Sequence, residues 1–373
     1  MKIYCFFPYA VYSGYKKTHS GILKKISSQV NSFSMICDDI ERCDLDYHIN
    51  SPLAYLTSWC NNFTKIKRIL NNARETDVVY IRNVYPYLTY AILIKKRHKP
   101  TIILEIHGIE NDQYKIFNPQ NLFINIQSLS LNIFNTMFGK HIKSNVDGIV
   151  CVTNEISDYN KKLTRHIIPI LTLGNGIDIS LYITRSTPEY NNELHVLIVA
   201  NTHPWHGIDR FIRGLHAYTG DITIILHIVG DGPELSNLKS LTTDLNLEDR
   251  VIFHGFKSGT ELDAMFDQCH IALDALAAFR KNLNELSTLK AREYCARGIP
   301  FLMASKDADF PESWDYIQMV PATEDPIDME LVIAFADRVM ADPDHPQKMH
   351  EYAKDHLDWL AKMKVLKEFL ETL

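Results

Sequence analysis

Several things are missing from this 373-residue chain, and each absence removes a class of protein. Its seven cysteines lie at positions 5, 37, 43, 60, 151, 269 and 295 with no Cys-x-x-Cys pair, which argues against a zinc ribbon, a redox dithiol or a disulfide framework and for reduced thiols in a cytosolic protein. Its 16 histidines include no His-Glu-x-x-His and no close His-x-His pair, so no metal is expected. Gly-x-Gly-x-x-Gly does not follow the first apolar run, which argues against a nicotinamide enzyme. No apolar run reaches membrane-crossing length; the opening Ile3 to Val11 reads as a buried first strand of a chain beginning near Met1, not as a leader. No repeat of fixed period occurs, and 15 Gly and 15 Pro leave no room for a low-complexity or collagen-like chain. Basic residues interleaved with aromatics are also lacking, since Lys95 to Lys99 is one short cluster, and nucleic acid is not an expected partner.

What is present is the composition of a two-domain globular protein, 46% hydrophobic and 23% charged. β-Branched apolar runs alternate with helical stretches, the pattern of βα units on parallel sheets. Strands are expected at 2–7, 34–37, 78–81, 101–106, 148–152 and 167–172, and again at 195–200, 222–229, 251–253, 271–273, 300–303 and 317–320. Helices are expected between them, among them 21–32, 208–218 and 262–267. Two sheets of about six strands follow. The polar stretch around Pro188 places a linker at 179–192, between an N-terminal domain 1–178 and a C-terminal domain 193–348, with a closing helix at 349–373 that returns toward the N-terminal domain. Charge divides the same way: residues 1–185 hold 22 Lys and Arg against 14 Asp and Glu, and the remainder 17 against 31. Either the basic half meets an anionic surface or both are simply solvated faces. Asn121–Lys140, an apolar helix ending in Lys140, His141 and Lys143, is open to the same two readings, core helix or interfacial helix.

Chemistry concentrates between Asn284 and Pro300, NELSTLKAREYCARGIP. A helix beginning near Ser287 would offer the free backbone N–H groups of Ser287, Thr288 and Leu289 to an anion, with Lys290 adding a full charge. Glu293, a turn further on, could accept from paired ribose hydroxyls, and Glu285 lies ahead of the helix. The plain alternative is an amphipathic helix capped by Gly298. Gly230-Asp231-Gly232-Pro233 follows an apolar strand, where ligands of open α/β sheets collect. His254, Gly255 and Phe256 end another strand and could read a nucleobase edge.

In this order, Gly-Asp-Gly-Pro after a strand, then Val-Ile-Phe-His-Gly, then two Glu with seven residues between them leading into Gly-Ile-Pro, the chain resembles retaining glycosyltransferases of the GT-B fold, family 4-like, of a bacterial surface-polysaccharide assembly subgroup. Asn175-Gly176-Ile177-Asp178 and the run from Val199 to Arg210, VANTHPWHGIDR, fit the same resemblance. It implies two Rossmann-like domains facing across a cleft, the C-terminal one holding a nucleotide sugar and the N-terminal one the acceptor. Carried over, Glu293 binds ribose, Glu285 faces the donor sugar, and Ser287–Leu289 with Lys290 hold the diphosphate. His107, in Glu105-Ile106-His107-Gly108, approaches the transferred sugar, and Gly21 closes a loop near the diphosphate. Relatives carry an Arg and a Lys in the phosphate turn where Asn201 and His206 stand here, so Arg210, Arg280, Lys281 and Lys290 are the candidates to compensate.

The resemblance implies a metal-independent hexosyltransferase with no cofactor beyond its nucleotide-sugar co-substrate. The expected acceptor is a saccharide, lipid-linked, in capsule or lipopolysaccharide assembly, and the expected location is cytoplasmic and peripheral at the inner membrane face. The alternatives are a nucleotide-binding partner subunit whose site has decayed and a sugar-nucleotide epimerase of the same fold.

Overall fold

Runs such as Val78-Val-Tyr-Ile81 and Ile102-Ile-Leu104 carry apolar side chains at every position, which suits strands covered on both faces. They form parallel sheets. The computed structural model describes residues 2–10, 29, 31–32, 39–47, 52–82, 100–109, 129, 133 and 136–373. It divides into one unit of Met1–Gly174 with Trp359–Leu373 and another of Asn175–Asp358.

In the first unit, β1 (Ile3–Ala10), β2 (Ile40–Tyr47), β3 (Val78–Arg82), β4 (Thr101–Ile106), β5 (Gly148–Cys151) and β6 (Ile170–Thr172) pair in parallel in the order β2-β1-β3-β4-β5-β6. The strand expected at 34–37 lies outside the described residues, as do most of the helix expected at 21–32 and positions 121–128, 130–132 and 134–135 of the apolar helix. β2 is a correction to the sequence reading, which expects no strand at 40–47. An edge strand tolerates a polar-apolar mixture that hides it from a search for apolar runs.

In the second unit, β7 (Glu193–Val199), β8 (Thr223–Val229), β9 (Val251–Gly255), β10 (Ile271–Leu273), β11 (Phe301–Met303) and β12 (Ile317–Met319) run parallel in the order β12-β11-β10-β7-β8-β9. The first strand is central, two more add on one side, and the chain then returns to build the other side. The reversal falls between β7 and β10, where the connecting loops part and leave a crevice at the strands' carboxyl ends. Helix Ile208–Ala217 covers this sheet with Ile208, Phe211, Ile212 and Leu215, the face its spacing predicts. Together the two six-stranded parallel sheets with their helices make the GT-B architecture.

The stretch 179–192 lies against the second unit. Arg185, 6% exposed, donates from Nε to the Gly298 carbonyl (3.2 Å), from Nη1 to Cys269 (2.7 Å) and from Nη2 to His270 (3.0 Å). The closing helix expected at 349–373 is broken in two. A helix His345–Tyr352 and a π turn Ala353–Leu357 pack with the second unit, Asp358 is extended, and helix Trp359–Glu371 belongs to the first. The break is fixed by Asp358, whose carboxylate accepts from the Ile179 N–H (3.1 Å), while the Ile177 N–H donates to the Leu357 carbonyl (2.9 Å). Trp359, Met363, Leu366 and Leu370 then join Ile3, Val78 and Val150 in one apolar cluster.

Candidate functional site

At the crevice, β7 and β10 pair only through Val196 and Leu197 opposite Ile271 and Ala272. Beyond that point Tyr294 reaches up from helix Leu289–Arg297, its hydroxyl accepting from the Val199 N–H (3.2 Å) and donating to the Leu273 carbonyl (3.1 Å). The hydroxyl satisfies backbone groups that the parting strands leave behind. Two glycines close the neighbouring turn. Gly230 has φ +127°, and a Cβ there would stand 1.9 Å from the Ala200 carbonyl oxygen; at Gly232, φ +147°, it would stand 2.4 Å from the Thr202 nitrogen. Gly-Asp-Gly-Pro is therefore pressed against the loop 200–202, joined to it by the Thr202 N–H donating to Asp231 (2.6 Å).

The helix itself begins at Leu289, two residues past the start expected near Ser287, with Thr288 as N-cap accepting from the Ala291 N–H (3.1 Å). Ser287 precedes it and is clamped by Asn175: the Asn175 N–H donates to Ser287 Oγ (2.7 Å) and its side-chain amide to the Ser287 carbonyl. Leu289, the first helical residue, is 37% exposed. Asp274, fully buried at the end of β10, accepts from the Thr288 hydroxyl (2.8 Å) and pairs with Lys290 Nζ (3.3 Å). Arg292 anchors all of this from below. It is 0% exposed, donates to the Asn175 carbonyl (2.9 Å) and the Thr288 carbonyl (3.3 Å), and pairs with Asp307 and Asp309. Asp274, Arg292 and Tyr294 were not singled out in the sequence; a charged residue inside an otherwise small and apolar helical face is the signal that could have found Arg292.

Glu293 is mostly buried and paired with Arg297 (2.9 Å), which also holds Asp263 (2.8 Å). Burial pushes its carboxyl up and Arg297 pulls it back down. Glu285 sits on a stretch fastened to the strand-like segment at Lys306, with the Leu286 N–H donating to the Lys306 carbonyl and the Lys306 N–H to Asn284, both at 2.9 Å. His254 is the penultimate residue of β9 and hydrogen-bonds its Nε2 to His227 Nδ1 (2.9 Å), and Gly255 and Phe256 follow it exposed, Gly255 accepting from the Gly230 N–H (2.7 Å).

The cations divide. Arg210 is buried and spends its guanidinium on the carbonyls of Leu276, Asp325 (2.9 Å) and Pro321 (2.9 Å), holding helix Ile208–Ala217 to the loop after β12. Arg280 forks onto Asp209 (2.8 and 2.9 Å) and pairs with Glu324. Neither is turned to an anion, because each already has its acceptors. Asn201 is exposed on the loop after β7. His206, 8% exposed, accepts at Nδ1 from the His203 N–H (3.2 Å), which leaves its proton on Nε2. Burial first, then Lys290, His203 and Lys281, drive it down to about 2, so it is neutral. Lys281 lies over the Trp205 ring, 4.3 Å from its centroid, and Trp205 stacks on His203 at 4.0 Å.

In the first unit, His107 follows β4 and has both ring nitrogens engaged, Nδ1 with Arg82 (3.4 Å) and Nε2 with Glu105. Arg82 can only donate, so Nδ1 accepts and the His107 proton lies on Nε2 toward the carboxylate. Gly21 lies outside the described residues.

Residues 183–356, nearly the whole second unit, match the model of a family described as Glycosyl transferases group 1. No curated protein matches the sequence. Among solved structures, sucrose-phosphate synthase from Thermosynechococcus elongatus is similar over 100% of this chain and 99% of that one, at 13% identity and a TM-score of 0.65. HepE from Anabaena, in complex with UDP-glucose, is similar over 100% of both chains at 14% identity and a TM-score of 0.61. The lipopolysaccharide outer core galactosyltransferase WaaB is similar over 100% of this chain and 99% of that one, at 15% identity and a TM-score of 0.64. At these identities the likeness speaks to the fold.

Proposed function

We propose that this chain is a retaining, metal-independent glycosyltransferase that moves a hexose from a nucleoside-diphosphate sugar to a lipid-linked saccharide during assembly of a cell-surface polysaccharide, working at the cytoplasmic membrane face. One observation carries the reading: at the strand reversal of a unit matching glycosyltransferases group 1, a helix N-terminus capped by Thr288 and bearing Lys290 stands beside a glycine turn pressed on the loop after β7. That is a preorganised anion site. HepE is described in complex with UDP-glucose, which makes a uridine diphosphate sugar the first donor to test.

In this reading the bond from the anomeric carbon to the diphosphate breaks, the helix end and Lys290 take up the charge on the leaving oxygen, and the acceptor hydroxyl bonds to the anomeric carbon on the face just vacated. Its proton passes to the departing phosphate oxygen. Glu285 orients the donor sugar, His107 approaches it with a fixed tautomer, and Glu293 holds the ribose once its pairing with Arg297 is shared. The test is twofold. Glu285→Gln is expected to lose at least a hundredfold in transfer at unchanged melting temperature, and wild-type rates would sink the assignment. One of UDP, GDP, ADP and CMP is expected to raise the melting temperature, less so in Glu293→Ala.

A second reading, a nucleotide-binding partner without turnover, is favoured by the neutral His206 and by the commitment of Arg210 and Arg280 elsewhere. Nucleotide binding with no transfer to any saccharide acceptor would select it.

A further inference from the structure

We propose that Lys281, seated on the Trp205 ring, is the cation that holds the donor's diphosphate, a role that rests on the nucleotide-sugar reading above. Most positive charges around the turn after β7 are already engaged. Arg210 and Arg280 have their acceptors, and His206 is neutral. Lys290 shares its charge with the buried Asp274 carboxylate. Lys281 remains, and among the described residues no carboxylate pairs with it. Burial alone lowers the pKa of its ammonium, whereas its neighbour Arg280 is surrounded by Asp209 and Glu324.

Its position is fixed by the hydrogen bonds of its neighbours. The Leu276 N–H donates to the His206 carbonyl (3.0 Å), the Ala277 N–H to the Trp205 carbonyl (3.1 Å) and Arg280 Nη1 to the Pro204 carbonyl (2.7 Å). The short 3-10 turn Ala278–Lys281 is thereby laid along the turn Pro204–His206. Both Lys281, on the 3-10 turn, and Lys290, on the first turn of helix Leu289–Arg297, lie close enough to act on the His206 ring. Lys281, Lys290, Asp274 and neutral His206 together carry one positive charge, and without Lys281 they carry none. A partly desolvated ammonium with an aromatic face and no counter-ion is a costly arrangement that an arriving diphosphate completes.

The experiment is calorimetric titration of UDP, GDP, ADP and CDP, each beside its nucleoside, into the full-length chain and its variants. Lys281→Ala is expected to weaken the preferred diphosphate at least tenfold and its nucleoside less than twofold, with a shallower salt dependence. Lys281→Arg should stay within threefold of wild type. In Lys281→Ala, the further change His206→Lys should recover most of the loss by returning a cation to the same neighbourhood. If no diphosphate binds the wild type, the nucleotide-sugar reading fails and this inference with it. If a diphosphate binds and Lys281→Ala holds it as well, the inference alone is overturned. Equal losses of diphosphate and nucleoside would also overturn it, because they would mean a structural role.

Discussion

Arg292 is structural in every contact it makes, and those contacts hold the residues around the start of helix Leu289–Arg297. Its guanidinium is completely buried, faces the Phe310 ring at 5.4 Å and answers Asp307 and Asp309, while Nε supports the carbonyl of Asn175, the residue that clamps Ser287. Burial pushes the Asp307 carboxyl up, and Arg292 is what pulls it back. Removing one member of such a pair is worse than removing both, because the survivor stays in a dry environment without a partner. Arg292→Met is therefore expected to cost about 3–5 kcal/mol in denaturant unfolding, and Arg292→Met with Asp307→Leu distinctly less. Equal losses in the single and the double variant would mean that the pair is not dry in solution.

At the scale of elements, much of the second unit was legible because its strands are apolar on both faces and its helices keep a 3.6-residue period; the strands expected at 271–273 and 317–320 differ from those observed by a residue at most. Edge strand β2 was not, since mixed polarity looks like loop. The helix start at Ser287–Leu289 was legible because a hydroxyl residue ahead of a helical run is a local signal. The partners of Arg280 and Arg210 were not, because Glu324 and the carbonyl of Pro321 lie over forty and over a hundred residues away. A lateral feature of the sheet was equally hidden. His195 on β7, His227 on β8 and His254 on β9 are linked ring to ring by two contacts of 2.9 Å, and His270 beside β10 stacks on His195 at 5.7 Å. Burial, then His195 and His254, lower His227 to about 4. The native state thus resists a proton that the unfolded chain accepts near pH 6.5, so this contribution is complete above pH 6.5 and fades as the pH falls toward 4. His227→Gln is expected to flatten the loss of stability between pH 6.5 and 4.5 by on the order of 2 kcal/mol, read from thermal unfolding across that range. Parallel curves for variant and wild type would show that the row of imidazoles titrates as if exposed.

At the scale of the whole molecule, the first half of the chain is rich in Lys and Arg, and its described part exposes large apolar side chains. Positions 129, 133 and 136–143 are helical, and Leu129, Ile133 and Met137, four residues apart, are 61%, 51% and 67% exposed. Past the 121–140 stretch, Ile142 turns into the core and Lys143 is buried against the Tyr159 ring. No helix among the described residues is long and apolar enough to cross a membrane. A stripe of this kind with Lys140 and His141 exposed at its end suits the headgroup region of an anionic bilayer, where apolar burial and electrostatic attraction add. Vesicles containing phosphatidylglycerol are expected to sediment the protein, neutral phosphatidylcholine vesicles to do so several-fold less, and added salt to release it. Ile133→Glu with Met137→Glu should cut the binding about tenfold, since both side chains would lose their apolar contact and add charge of the membrane's sign. Nucleotide binding in the second unit should be untouched by that change. Undiminished sedimentation of the double variant would assign the attraction to the basic surface alone and leave the apolar stripe without a role at the membrane.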